Sequence, residues 1–174
     1  MKKVIQSLFC IGILFSACQN APKTTDAVTT TATPTTTVNA STTCYEMRIG
    51  RDITAIEMVW TGDEMSGYYA WEPYEKDSGR GSLKGKKEGD MVTAIFNYMI
   101  EGSIQSEEVV FKMVGDKLIQ GRGELDDKTA VLMIKDKTKL TWGDTLSKVD
   151  CAVIKEPIAR AQDMSALIAK QKGQ

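Results

Sequence analysis

The sequence predicts an all-β domain: an antiparallel meander of 8–10 strands closed as an up-and-down barrel, with a short C-terminal helix. Three observations predict it. Four Gly-Asp dipeptides, Gly62-Asp63, Gly89-Asp90, Gly115-Asp116 and Gly143-Asp144, recur at intervals of 27, 26 and 28 residues. The first three lie between runs that alternate apolar and polar residues, where a two-residue loop opening on glycine favours a type II′ hairpin. Short strands punctuated by closely spaced turns suit an antiparallel barrel or sandwich better than a parallel sheet.

Each element can be justified in chain order. Lys2 and Lys3 precede an apolar run from Val4 to Phe15, the length of a secretory leader and too short to span a bilayer. It ends Leu14-Phe15-Ser16-Ala17-Cys18. Ordinary leader cleavage after Ala17 would put the bulky Phe15 where a small residue is wanted. The stretch resembles instead the lipobox of bacterial lipoproteins, although Phe15 stands where Leu, Val or Ile is usual. The resemblance implies a leader at 1–17, lipidation at Cys18 and attachment to the lipid bilayer. A plain secreted protein or an uncleaved anchor are the alternatives. Several acyl chains would give stable anchoring, since each buried methylene contributes about 0.8 kcal/mol and one chain alone is marginal.

From Thr24 to Thr43 there are eleven threonines in twenty residues and almost no large apolar side chain. Such a stretch has nothing to bury, so 18–43 reads as a lipidated cysteine and a disordered tether. With Cys10 lost in the leader and Cys18 lipidated, Cys44 and Cys151 remain. Two cysteines of an exported chain at the ends of the patterned region read as one disulfide closing the domain.

Cys44–Cys151 is then the folded unit, 108 residues with one core. Tyr45, Met47 and Ile49 alternate with Glu46 and Arg48 in a first strand, which turns near Gly50-Arg51. A two-residue loop decides which residues lie opposite and share a face. The first Gly-Asp turn pairs Trp60 with Met65, Met58 with Gly67, Ile56 with Tyr69 and Thr54 with Trp71. The second pairs Lys87 with Val92, Gly85 with Ala94, Leu83 with Phe96 and Gly81 with Tyr98, the glycines leaving room for rings. The third pairs Met113 with Leu118, Phe111 with Gln120, Val109 with Arg122 and Glu107 with Glu124. The fourth fits poorly, because Trp142 would face Thr145. Lys84, Lys86 and Lys87 fall on the solvent face. Leu125–Lys128 turns into a run from Ala130 to Lys135. In the 152–174 tail, Pro157 opens a helix whose Ile158, Ala161, Met164, Leu167 and Ile168 form one stripe. That stripe suits packing on the barrel, with partner binding the alternative.

Composition excludes several chemistries. The chain contains no histidine, which removes Ser-His and Cys-His nucleophilic catalysis and leaves a metal site without its commonest ligand. Without Lys2 and Lys3, 20 basic residues face 23 acidic ones, net −3, and they are scattered. Nucleic acid is therefore not an expected partner.

The candidate site is the far end of the third hairpin, where Arg122 would stand between Glu107 and Glu124 with Gln120 beside it. An apolar barrel with a few inward polar groups suits a small ligand; the competing expectation is a wet rim or a bulge at Gly121 and Gly123. Trp60, Tyr69 and Trp71 share one face and are either a stacking platform or core. No cofactor, metal or catalytic residue is expected.

Cys44-Tyr45, Glu75-Lys76-Asp77, Gly81-Ser82-Leu83-Lys84-Gly85, Gly121-Arg122-Gly123-Glu124 and Val149-Asp150-Cys151 resemble small lipoproteins of Bacteroidota whose role is uncharacterised. The resemblance implies a small antiparallel β-barrel, as the strand pattern does in its lipocalin-like, up-and-down form, and carries no catalytic residues. The resulting expectation is a non-catalytic binding module, lipid-anchored in the bacterial cell envelope at the outer membrane and facing the periplasm. It would take a small ligand, a glycan or a partner protein. The alternatives are an assembly lipoprotein docking on an envelope complex, or an inhibitor of a hydrolase using the 72–79 loop.

Overall fold

A computed structural model describes residues 39–173. The leader, Cys18 and the tether up to residue 38 lie outside the described residues.

Ten strands run in chain order: β1 (Ser41–Ile49), β2 (Asp52–Thr61), β3 (Glu64–Glu72), β4 (Gly79–Glu88), β5 (Met91–Ile100), β6 (Ser103–Val114), β7 (Lys117–Arg122), β8 (Leu125–Asp126), β9 (Met133–Ile134) and β10 (Thr141–Val149). A single turn of 3-10 helix at Cys151–Ile154 leads into helix α1 (Lys155–Lys172). Eight strands close an antiparallel barrel in the order β1-β10-β7-β6-β5-β4-β3-β2, while β8 and β9 form a small hairpin outside it. The all-β lipocalin-like barrel that the Gly-Asp spacing predicts is thus the fold. It begins at Ser41, three residues before the expected boundary at Cys44.

The three hairpin turns have positive φ at Gly62 (64°), Gly89 (63°) and Gly115 (56°) and not at the following aspartates, the sign pattern of a type II′ turn. Their recurrence has a second cause. The carbonyl of each turn's aspartate accepts an amide from the following hairpin or strand: Lys87 donates to Asp63, Met113 to Asp90 and Lys148 to Asp116, each at 2.8 Å. Each corner therefore extends the neighbouring ladder, and the three corners interlock at one end of the barrel.

That end is filled. Trp60, Met65, Val92 and Leu118 are buried there, and Trp60 Nε1 donates to Thr43 Oγ1 at 2.9 Å. Lys87 lies over the Trp60 ring, 5.6 Å from its centroid, so it sits inside the register of Val92 and not on the solvent face expected for it. Tyr45, Ile56, Met58, Leu83, Phe111 and Leu146 pack the middle. Gly81 is needed for more than ring space: a Cβ there would fall 1.8 Å from the Asn97 carbonyl oxygen, so the strand backbones themselves close in.

The registers of the first two hairpins are those predicted, pair for pair. The fourth Gly-Asp is no turn. Trp142 pairs with Gly121 and Thr145 with Ile119, which places Gly143 and Asp144 opposite Gln120 alone as a β-bulge in β10. The run from Ala130 to Lys135 contributes only Met133–Ile134 to a two-residue ladder with β8.

The barrel closes on a short seam in which Cys44, Tyr45 and Glu46 pair with Val149, Lys148 and Ser147. The Cys44–Cys151 disulfide lies beside it, with Cα atoms 5.2 Å apart. Outside the barrel, Cys44 packs with Ala55, Ile154 and Ile158 in a second apolar cluster. Helix α1 lies on the outer faces of β2 to β5, burying Pro157, Ile158, Ala161 and Ile168. Pro157 is its third residue, where the missing amide hydrogen costs nothing. Leu167 stays exposed. Arg160 fastens the helix to Glu72, with Nε to Oε1 at 2.9 Å and Nη2 to Oε2 at 2.6 Å. No helix among the described residues is long and apolar enough to cross a membrane.

Candidate functional site

The end opposite the Gly-Asp corners is open. There the barrel interior widens into a cavity of about 220 Å³ lined by Tyr69, Trp71, Phe96, Tyr98, Glu107, Gln120 and Arg122, with Gly79 and Ile100. Alternation along the strands brings these side chains inward. Tyr69 and Trp71 are consecutive inward positions of β3, Phe96 and Tyr98 of β5, and Gln120 and Arg122 of β7.

One wall is an aromatic stack. Phe96 lies between Tyr69, at 4.5 Å between centroids and 29° between planes, and Tyr98, at 4.4 Å and 10°. Such offset stacks contribute about 0.5–1.5 kcal/mol each beyond the area they bury. Trp71 stands at the rim, 42 % exposed. The hydroxyls face the polar wall: Tyr69 reaches Gln120 Oε1 at 3.5 Å, and Tyr98 donates to Gln105 Oε1 at 2.8 Å. Tyr98 also stands 3.4 Å from Glu107 Oε2. Burial, then the nearby Glu107 carboxylate, pushes the Tyr98 phenol up to about 12. Burial also raises Tyr69, and it raises the half-buried Glu107 above the usual carboxylate range despite the Tyr98 hydroxyl and the Arg122 charge.

Arg122 is at the exposed rim, and its partner is Asp144, which the β10 bulge delivers to it. Two sequence expectations are corrected here. The β6–β7 ladder ends at Val110 and Gly121, so Val109/Arg122 and Glu107/Glu124 do not pair across it; Arg122 pairs instead with Thr141 of β10. Glu124 has left the barrel and is exposed, ion-paired with Lys135. Trp60 is core at the filled end, far from the cavity, and is no stacking platform. Tyr69, Trp71, Gln120, Glu107 and Arg122 do come together. The sequence pattern does not single out Asp144, Phe96, Tyr98 or Gln105 as site residues: Phe96 and Tyr98 show only as rings opposite Leu83 and Gly81, and Asp144 only as half of a Gly-Asp pair.

Where β6 and β7 part, a second opening of about 300 Å³ lies between Glu107–Val109 and Gln120–Gly123, bounded outside by Leu125 and Ile134. The 123–140 excursion covers it. Leu132 exchanges backbone hydrogen bonds with β6, accepting from the Glu108 amide at 2.8 Å and donating to the Ser106 carbonyl at 2.9 Å. The buried Glu108 side chain holds it too, accepting from the Ile134 amide at 3.1 Å and pairing with Lys137 Nζ at 2.7 Å. Opening and mouth share Glu107, Gln120 and Arg122 as a common wall.

The connection between β3 and β4 is folded down. The Tyr74 amide donates to Asp52 Oδ1 at 2.7 Å, and Arg51 lies 3.3 Å above the Tyr74 ring. No cluster of metal-ligating side chains occurs among the described residues. No family model, curated protein or solved structure matches the chain.

Proposed function

We propose that this protein is a lipid-anchored lipoprotein of the bacterial cell envelope whose barrel is a non-catalytic binding module for a small ligand. The observation that carries the reading is the open barrel end: stacked rings on one side, and Glu107, Gln120 and Arg122 on the other. An apolar wall facing a few oriented polar groups is how small-molecule sites obtain both affinity and orientation. At about 220 Å³ the cavity is smaller than the roughly 300–1,000 Å³ of drug-sized pockets. It suits a single ring or head group, such as one residue of a glycan. Cys18 carries the lipid in this reading, and the membrane is the outer one, with the barrel on its periplasmic side.

A fragment screen followed by backbone-amide NMR tests the module. Shifts confined to Trp71, Tyr98, Glu107 and Gln120, lost on Trp71→Ala, are expected. If hits scatter over the outer strands instead, the mouth is not the site. For the anchor, a Cys18→Ala form that remains equally membrane-bound refutes lipidation.

A second reading has its own observation. Ile49, Trp71, Tyr74, Leu125 and Trp142 are all exposed around the same end. Exposed apolar side chains grouped at one face suit docking on an envelope protein. Co-purification that survives Trp71→Ala and Trp142→Ala together excludes this rim as the contact.

A further inference from the structure

The charged groups of the mouth are unevenly paired. Arg122 is tied to Asp144. Glu107, by contrast, has no lysine or arginine nitrogen within 4.0 Å among the described residues. Its hydrogen-bonding neighbour is Tyr98, and a phenol has one proton to give. That proton is directed to Gln105, at 2.8 Å, in preference to Glu107, at 3.4 Å. A carboxylate drawn partly out of water, with no direct ion pair and no strong donor and with the nearby Arg122 tied to Asp144, is costly, and an incoming cation offsets the cost.

Two further observations favour a cation. The same cavity wall presents aromatic rings, whose negative faces attract ammonium groups, most strongly where water is excluded. The segments around the open end, 49–52, 72–79, 100–103 and 123–140, carry nine acidic and six basic residues, and counting Arg80 and Arg160, which hold Glu72, still leaves a small acidic excess there. Asp144 engages only Nη2 of the exposed Arg122, and an anion at its remaining donors would stand beside the carboxylates of both Asp144 and Glu107.

We propose that the mouth recognises its ligand through an ammonium group, primary or quaternary, seated between the Glu107 carboxylate and the Tyr98 and Trp71 rings. This rests on the small-ligand reading above and names the chemistry of that ligand.

The test uses the full chain and three small probes: choline, its uncharged carbon isostere 3,3-dimethyl-1-butanol, and acetate. Binding is read from backbone-amide shifts and tryptophan fluorescence. Choline should bind at least about tenfold more tightly than the isostere, since its charge meets both the Glu107 carboxylate and the ring faces. Glu107→Gln should remove most of the preference, leaving the smaller share due to the rings, with the isostere's weak affinity and the unfolding midpoint in place. Trp71→Ala, an exposed rim change that the fold tolerates, should weaken choline more than the isostere. Equal affinity for choline and the isostere overturns the ammonium assignment and leaves the small-ligand site standing. Tighter binding of acetate, lost on Arg122→Gln, overturns it in favour of an anion. Silence of the mouth amides towards these probes and towards the fragment screen overturns the small-ligand reading as well.

Discussion

Reducing the Cys44–Cys151 bond should weaken the barrel at one identifiable place. The bond links residues 107 apart in sequence. In the chain-entropy account a loop of about 100 residues is worth about 4.7 kcal/mol, because reduction restores freedom to the unfolded chain. A loss of that size is a large share of the roughly 5–15 kcal/mol that stabilises ordinary domains. For a domain of this size it corresponds to a fall in Tm of roughly 15–20 °C. The loss should also be local in the native state. The seam between β1 and β10 rests on Cys44, Tyr45 and Glu46 paired with three residues of β10, whereas β4 and β5 pair along their full lengths. The assay is urea denaturation of the oxidised protein and of protein unfolded and refolded in reductant. Extrapolated stabilities must be compared, since an uncrosslinked unfolded chain exposes more surface and raises m. Hydrogen exchange should then show Glu46, Ser147 and Val149 losing protection before the β4–β5 amides. A loss below about 1 kcal/mol, or seam amides as slow to exchange as before, would refute the reasoning.

Three further outcomes are expected. Glu101 (φ 50°) and Gly102 (φ 73°) form a turn with both central residues left-handed, where asparagine suits the first position better than glutamate; Glu101→Asn should raise stability by about 0.5–1 kcal/mol in thermal melts. Glu108→Ala strips the Ile134 amide and Lys137 of their shared partner at a buried position, so about 1–3 kcal/mol should be lost. Exchange should accelerate at Leu132 and Ile134 while the β4–β5 amides stay protected; unchanged exchange there would show that the carboxylate does not hold the 123–140 excursion. Tyr98 is raised in the folded protein to about 12, whereas an unfolded tyrosine ionises near 10. The folded state therefore keeps a proton that the unfolded state gives up, so this contribution is complete below pH 10 and is lost as pH rises towards 12. Urea midpoints measured at pH 9 and 11 check it, and Tyr98→Phe should flatten the decline.

The parts of the fold legible in the sequence are those governed by two-residue loops. Such a loop leaves no freedom in which residues lie opposite, so Trp60/Met65 and Leu83/Phe96 follow from the positions of Gly62 and Gly89 alone. Where a ladder stops is set by tertiary competition instead. β7 leaves β6 after Gly121 because Leu132 takes over the β6 backbone groups, a pairing between segments with no shared pattern. Glu124 leaves the barrel for that reason, where the hairpin count alone would keep it opposite Glu107. Gly143-Asp144 was ambiguous because glycine and aspartate serve a bulge as well as a turn. The one available signal was the mismatch of Trp142 with Thr145, which argued against a hairpin without revealing that Asp144 would reach Arg122. Trp60 and Trp71 share a face and differ in role, since their distances from the Gly62 corner place one in the packed end and the other at the rim.

The direction in which the chain joins its barrel carries a consequence for geography. Ser41 pairs with Trp60, so the polypeptide arrives beside the interlocked corners, and the ring-lined cup lies at the far side. Strands of about ten residues at about 3.3 Å per residue, inclined at roughly 40°, separate the two by about 25 Å. The cup therefore opens at the end of the barrel remote from the point where the chain enters it, so whatever precedes Ser41 joins the sealed base and not the rim.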